Sequence, residues 1–217
     1  MNYRQIALGF ALIFLANIAA GPLEDLSKAI VAKLPSLDAA AKKMASAAAK
    51  AGVKLTVAHY RRQWPMFLKL KALLKQQVIG EIRLVHLQFY KPAQTAAELA
   101  EEKNAWRVNP AISGGGLFHD LAPHQLDLMI YFFGAVQKAN GIATNQAKNY
   151  KADDLVAGNI LFSNNVAFSG TWCFNAAAAT DTCEITGTKG KLSFPVFDTS
   201  VLTILTNGKT TTEQFDV

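Results

Sequence analysis

The second half of the chain, beyond Gly134, is a run of short alternating segments separated by turn signals. Alternation with a period of two places apolar side chains on one face of a strand, as in Val166 to Phe174 and Thr182 to Thr186. The turn signals are rich in Asn and Gly, which tolerate the positive φ of tight hairpins: Asn164-Asn165, Gly187 to Gly190 and Asn207-Gly208. This half therefore excludes an all-helical fold and predicts a predominantly antiparallel sheet.

The first half mixes helical and strand patterns. An apolar stripe at helical spacing follows Trp64-Pro65, and Ile82 to Tyr90 alternates as a strand does. Upstream, three segments follow the strand, helix, strand rhythm of a doubly wound domain: Ala29 to Pro35, Asp38 to Lys50 and Val53 to His59. The predicted fold class is α+β. It consists of an open-faced, predominantly antiparallel or mixed sheet with helices on one side, preceded by a strand-helix-strand unit.

The N-terminal segment, residues 1–21, allows two interpretations. With 217 residues and 51% hydrophobic content, the chain as a whole can bury one large domain, with or without a fragment of another. In the segment itself, Arg4 precedes an apolar run from Ile6 to Leu15 and then small residues, as in a signal peptide. A truncated buried strand or helix fits equally well. The first interpretation predicts export and the second a cytoplasmic protein; the run is too short to predict a stable membrane span.

Positive charge is concentrated in one region. The net charge is +6, and between Lys42 and Arg83 there are ten lysines and arginines against one acid, Glu81. A nucleic-acid surface would interleave aromatic residues with these cations or carry a reader motif, and neither is present. We therefore expect the lysines to form solvated helix faces, and we predict no nucleic-acid partner.

The segment from Ser113 to Asp127 carries the strongest chemical signal. Three glycines form a turn in which the backbone can approach a ligand closely. On the helix that follows, Asp120, His124 and Asp127 have the i, i+4, i+7 spacing of one face. Pro123 is expected in the first helical turn. The two carboxylates are expected to favour the charged imidazole and to bring the pKa of His124 into the physiological range, as a general acid or base requires.

Two other interpretations compete with this acid-base site. A glycine turn, an aspartate near a helix N-terminus and a histidine satisfied by a carboxylate would also serve as plain capping. A metal site is disfavoured because His119 and His124 are five residues apart and diverge around a helix, so no metal is predicted.

Five motifs, in this order, make the chain resemble the Gfo/Idh/MocA oxidoreductase family: Ala51 to Arg62, Ile79 to Arg83, Trp106-Arg107, Gly114 to Asp127 and Glu184 to Gly190. The resemblance runs from about Ala29 to the C-terminus. It implies a Rossmann domain for NAD or NADP, followed by an open-faced α+β substrate domain whose open sheet face makes homo-oligomer contacts. Family members mostly transfer a hydride between nicotinamide and a hydroxyl carbon of a sugar, inositol or related polyol.

The resemblance also implies roles for individual residues. His124 would handle the proton of the substrate hydroxyl, and Asp120 would orient the substrate or the base. Lys33 would be a catalytic lysine that also contacts the cofactor, although the family's Glu-Lys-Pro motif is altered here to Ala32-Lys33-Leu34-Pro35. The remaining implied contacts are with substrate (Trp106, Arg107 and Asp127) and, beside Lys33, with cofactor (Arg61).

One family signature is missing. No Gly-x-Gly-x-x-Gly turn follows a strand anywhere in the sequence. The predicted organisation is an apolar segment over 1–21, a remnant of the dinucleotide-binding domain over 22–62 and the substrate domain over 63–217. We therefore expect an NAD(P)-dependent oxidoreductase for polyols with an incomplete cofactor domain, not active by itself. The alternative is a non-catalytic domain that binds a sugar-like ligand or forms oligomers.

Overall fold

The structure is a computed structural model that describes residues 35–55, 58–113, 115–198 and 201–216. A 3-10 turn covers Tyr60–Gln63. The described α-helices are α1 (Pro35–Lys50), α2 (Pro65–Lys75), α3 (Ala96–Ala100), α4 (Glu102–Ala105), α5 (Pro110–Ser113) and α6 (Leu117–Phe133). The described strands are β1 (Ile82–Pro92), β2 (Val136–Thr144), β3 (Leu155–Phe162), β4 (Ala167–Ala176), β5 (Thr180–Gly187), β6 (Gly190–Phe194), β7 (Val201–Thr206) and β8 (Lys209–Gln214).

These strands form one mixed sheet in the order β2-β3-β4-β1-β5-β6-β7-β8. The central pair, β1 and β4, is parallel, and every other neighbouring pair is antiparallel. The turn between β7 and β8 follows the local sequence closely. Asn207 and Gly208 have φ values of 51° and 72°, as a two-residue hairpin turn requires. The predicted α+β fold and hairpins are confirmed.

Helices α2 and α6 cover one face of the sheet. Phe67 of α2 packs edge-on against Phe194 of β6, with ring centroids 6.1 Å apart. Phe118 of α6 packs in the same way against Trp172 of β4, at 5.1 Å. Leu87, in the middle of β1, is fully buried between these layers. The helices predicted after Trp64-Pro65 and after the glycine turn are thus the two that build the core.

The opposite face of the sheet is open. Leu84 and Ile142 are 46% and 68% exposed there, and His86 lies on the same side of β1. Small polar residues such as Ser169 and Asn159 are aligned with them across the strands. One face of the sheet is therefore covered by α2 and α6 and the other is exposed, as the alternation predicted.

Two local expectations are wrong. Residues 53–55 and 58–59 form no strand, and Val53 and Leu55 are 60% and 41% exposed. An apolar segment becomes a buried strand only where a neighbouring strand pairs with its N–H and C=O groups, and no described strand does so here. In addition, Pro123 lies inside α6 instead of in its first turn, because the helix already begins at Leu117.

The predicted strand over 29–34 and the apolar segment over 1–21 fall outside the described residues. The helix predicted from Asp38 to Lys50 is present as α1, which begins at Pro35. In the described part of the chain, no helix is long and apolar enough to cross a bilayer.

Candidate functional site

The glycine turn shapes the start of α6. Gly116 has a φ of 80°, and a Cβ at that position would come within 2.4 Å of the Ala152 side chain, so only glycine fits. The backbone N–H of Gly116 donates to the Ser113 hydroxyl at 3.0 Å, and that of Gly115 does so at 3.4 Å. The His119 ring donates from Nδ1 to the Gly115 carbonyl at 3.0 Å. The hydrogen bonds of these groups are therefore made within the turn and its helix, where they stabilise the conformation of the turn.

Asp127, on the second half of α6, is held by a paired arginine. Its carboxylate accepts two hydrogen bonds from Arg62, from Nε at 2.7 Å and from Nη2 at 2.6 Å. His59 Nδ1 lies 3.5 Å from the same carboxylate, and Asp127 is 2% exposed. The bidentate bond raises the pKa of Arg62. This cluster fastens the 59–63 segment to α6.

His124, one turn before Asp127, lies in a partly buried aromatic pocket. Its ring centroid is 6.0 Å from that of Tyr60 and 6.1 Å from that of Phe197, both in edge-to-face geometry. Burial lowers the pKa of His124, and the charges of Arg61 and His59 lower it further, against Asp120 and Asp127. The two carboxylates do favour the charged imidazole, as expected, but burial, Arg61 and His59 outweigh them, so the pKa of His124 is lowered instead of raised. A lowered pKa favours the neutral imidazole, which is the form that can accept a proton.

Arg107 and Asp120 lie together at the start of α6. Arg107 Nε is 3.1 Å from an Asp120 carboxylate oxygen, and both side chains are a little over one third exposed. The Arg107 guanidinium also lies 5.3 Å from the ring centroid of Trp106. The structure thus brings three of the predicted site residues together, with the side chains of Arg107 and Asp120 partly exposed to solvent.

Arg61 is buried, with only 8% of its surface exposed. Its Nη1 donates to the Val196 carbonyl at 2.9 Å. Its guanidinium lies 4.4 Å from the ring centroid of Trp64 and 4.5 Å from that of Phe197. Arg61 therefore contributes a fixed positive charge beside the His124 pocket. Its cofactor contact stays a prediction, as do the roles of Lys33, which lies outside the described residues.

Sequence reasoning missed two aromatic residues of the pocket and the histidine beside it. Tyr60 and His59 adjoin the paired arginines, and that adjacency was the one available signal. Phe197 had none, because it lies far along the chain from both Arg61 and His124. Within the described residues, no three His, Cys, Asp or Glu side chains are grouped closely enough to hold a metal ion.

Comparison with known proteins is consistent with this architecture. The model of the Gfo/Idh/MocA C-terminal domain matches residues 67–193. Oxidoreductase P35 of Formosa agariphila is 44% identical over 167 residues, which make up 76% of this chain and 50% of that protein.

Solved structures share the fold. An inositol dehydrogenase homolog from Azotobacter vinelandii, complexed with NAD+, has a TM-score of 0.70 at 16% identity, over 81% of this chain and 47% of that one. Aldose-aldose oxidoreductase from Caulobacter crescentus, complexed with glycerol, has a TM-score of 0.68 at 17% identity, over 82% and 53%. The chain spans about half the length of each of these proteins. Because the family model covers more than half of this chain, including β1, α6 and the central sheet, the chain belongs to the Gfo/Idh/MocA oxidoreductase family through its C-terminal domain.

Proposed function

We propose that this chain provides the substrate-binding and proton-handling part of an NAD(P)-dependent oxidoreductase that acts on a hydroxyl carbon of a sugar, inositol or related polyol. One observation carries the proposal. His124 lies in an aromatic pocket, where burial lowers its pKa, one helical turn from the partly exposed Asp120 and its partner Arg107. In the proposed organisation, residues 63–217 are the substrate domain and residues 22–62 belong to the cofactor domain.

Oxidation of an alcohol removes the hydroxyl proton as well as a hydride. A neutral histidine next to the hydroxyl can take up that proton, and His124 is the proposed catalytic base. Asp120 and Arg107 together offer an acceptor and a donor to neighbouring hydroxyl groups. Asp127 is fully engaged by Arg62, so any contact it makes with substrate would compete with that pair.

Neither the glycine turn nor Arg61 fits a dinucleotide's phosphates. The N–H groups of Gly115 and Gly116 are bonded to Ser113, and Nη1 of Arg61 is bonded to the Val196 carbonyl. A phosphate cradle needs free backbone N–H groups at a helix start, or free cations. We therefore assign no phosphate contact to Gly115, Gly116 or Arg61, and the proposed role of the site is limited to binding substrate and handling its proton.

The substrate class is proposed from the chemistry of the pocket. The rings of Tyr60 and Phe197 offer apolar surfaces, and the Asp120 and Arg107 pair offers hydrogen bonds at the rim. A cyclic polyol has the same combination of an apolar ring face and hydroxyl groups. The inositol dehydrogenase homolog and the glycerol complex among the similar structures support the same class.

The test is direct binding to the whole chain. Titration with myo-inositol, D-glucose and glycerol, followed by NMR of the histidine ring signals, should perturb His124. Arg107→Ala should weaken that response, and Arg83→Ala, at an exposed pair remote from the pocket, should not. If none of the polyols changes the His124 signals, the proposal is wrong.

A second assay separates the enzyme from a binding domain. NAD+ or NADP+ is added with the bound polyol, and formation of reduced nicotinamide is followed by absorbance. Turnover that disappears in His124→Ala supports catalysis by this chain. The same result would contradict the second candidate, a non-catalytic sugar-binding or oligomerisation domain, whereas polyol binding without turnover is expected of both candidates as long as the cofactor domain is incomplete.

The observation that favours the second candidate is the open sheet face, where Leu84 and Ile142 are exposed. We propose that a second copy of the chain packs on this face. Ile142→Lys should then shift the mass measured by light scattering toward the monomer. An unchanged mass would contradict the open face as the interface.

A further inference from the structure

The carboxylate of Asp181 occupies an unusual place in the sheet. Asp181 lies directly opposite Phe89 in the β1-β5 register, so it shares the helix-covered face with the buried Cys183 and Ile185 of its own strand. Strand alternation places apolar side chains at such positions. A charge on this face is unfavourable unless it is fully hydrogen-bonded. The hydrogen-bond partners of Asp181 therefore indicate its structural role.

The hydrogen bonds of the Asp181 carboxylate are all with one backbone segment, Val196–Asp198. The carboxylate accepts the N–H of Val196 at 3.0 Å, that of Phe197 at 2.6 Å and that of Asp198 at 3.0 Å. Three N–H donors on one carboxylate fix both the position and the direction of the segment. Asp181 therefore determines where the side chain and carbonyl groups of the segment lie.

The same segment forms one wall of the His124 pocket. The Phe197 ring is in edge-to-face contact with His124, and its centroid lies 5.1 Å from that of Phe89. The Val196 carbonyl accepts the hydrogen bond from Arg61, whose guanidinium lies on the Phe197 ring. The segment thus places both an apolar cover and a positive charge beside the imidazole.

We propose that Asp181 is a positioning residue for His124: by holding Val196–Asp198, it places the Phe197 ring and the Arg61 guanidinium against the imidazole. This inference rests on the proposed function in one respect: Asp181 affects proton transfer only if His124 is the catalytic base. It extends that function to a residue that lies outside the glycine turn and the α6 motif. It also attributes the surroundings of the His124 imidazole to the hydrogen bonds between Asp181 and the segment.

The charges around His124 make the inference testable. Arg61 and His59 face it from the 59–63 segment, and Asp120 and Asp127 face it along its own helix. Asp181 is not among the groups that act on His124 directly, so a change at Asp181 reaches His124 through the segment and through Arg61, on which the Asp181 charge also acts. Release of the segment would hydrate the imidazole and loosen Arg61, and both changes raise the pKa of His124 toward its ordinary value of 6.5.

The experiment is an NMR titration of the His124 ring in the whole chain, without any ligand. Asp181→Asn cannot accept three N–H bonds as the carboxylate does, and we expect the pKa of His124 to shift upward. The matched control is Glu184→Gln, the same chemical change on the same strand, where the carboxylate pairs with Lys191 at 2.6 Å. It should leave the His124 titration unchanged.

A folded Asp181→Asn protein in which His124 titrates as in the wild type would overturn the inference. An equal shift in Glu184→Gln would do the same. If Asp181→Asn does not fold, Phe197→Leu removes the ring that the segment carries, and an unchanged His124 titration there is equally contrary. The outcome is independent of the proposed function, which fails instead when polyols do not perturb His124.

Discussion

The two faces of the sheet use similar strands for different purposes. On the covered face, Leu87 and Phe162 are fully buried, and the candidate site lies at the edge of this layer, between α6 and the 59–63 segment. On the open face, Leu84 and Ile142 remain exposed among small polar residues. Alternate side chains of one strand point to opposite faces, so neighbouring residues contribute very differently to the free energy of unfolding. Substitutions on the covered face should affect both stability and the site, whereas those on the open face should affect neither.

The largest effect is expected for Trp172→Ala. The indole is 2% exposed, contacts Phe118 and Phe168, and donates from Nε1 to the buried Gln125 at 2.6 Å. Its removal leaves a cavity and an unpaired amide, and should lower the free energy of unfolding by about 3–5 kcal/mol. Urea denaturation measures it. Leu84→Ala, on the open face, should change stability by less than about 0.5 kcal/mol; equal losses would abolish the contrast between the faces.

An intermediate effect is expected when an ion pair of a buried carboxylate on α6 is compared with an exposed ion pair on the open face of the sheet. Asp127→Ala removes two charged hydrogen bonds from Arg62 and should cost about 1.5–3 kcal/mol. The control is Glu184→Ala, whose partner Lys191 lies on the open face with both side chains 38% exposed. That change should cost at most about 1 kcal/mol. A larger loss for Glu184→Ala than for Asp127→Ala would show that burial does not govern the strength of these pairs.

The smallest effect is a dependence of stability on pH. Burial lowers the pKa of His59, His119 and His124 below 6.5 in the folded protein. Because the unfolded chain binds these protons more readily, the free energy of unfolding should fall as the pH decreases below about 6.5. Denaturation at a series of pH values from about 7 to about 5 measures the slope. His124→Gln should make the slope shallower, and an identical slope would mean that His124 does not contribute.

The sequence predicted what depends on local patterns. The hairpin at Asn207-Gly208, the strand from Ile82 and the helix after the glycine turn all carry their own signals, and all three are confirmed. The alternation within the strands also indicated that only one sheet face would be covered.

It failed where the outcome depends on distant partners. Val53 to His59 has the composition of a strand, but a strand needs a neighbour that local patterns cannot reveal. The α6 motif displayed the carboxylates near His124, whereas Arg61 and Phe197 reach it only through the tertiary fold. The sign of the His124 pKa shift was therefore not predictable from its own helix.

The parallel pairing of β1 with β4 has a consequence for how the chain folds. Leu84 of β1 pairs with Ala167 of β4, and on its other side β1 pairs with β5. The ribosome therefore synthesises both neighbouring strands long after β1. Closing such long loops costs entropy before any contact compensates for it, and folding is slow when contacts are this distant in sequence. During synthesis, β1 and its apolar face must therefore wait unpaired until residues beyond 176 have left the ribosome. Chaperone protection at that stage would favour assembly of the native sheet over aggregation.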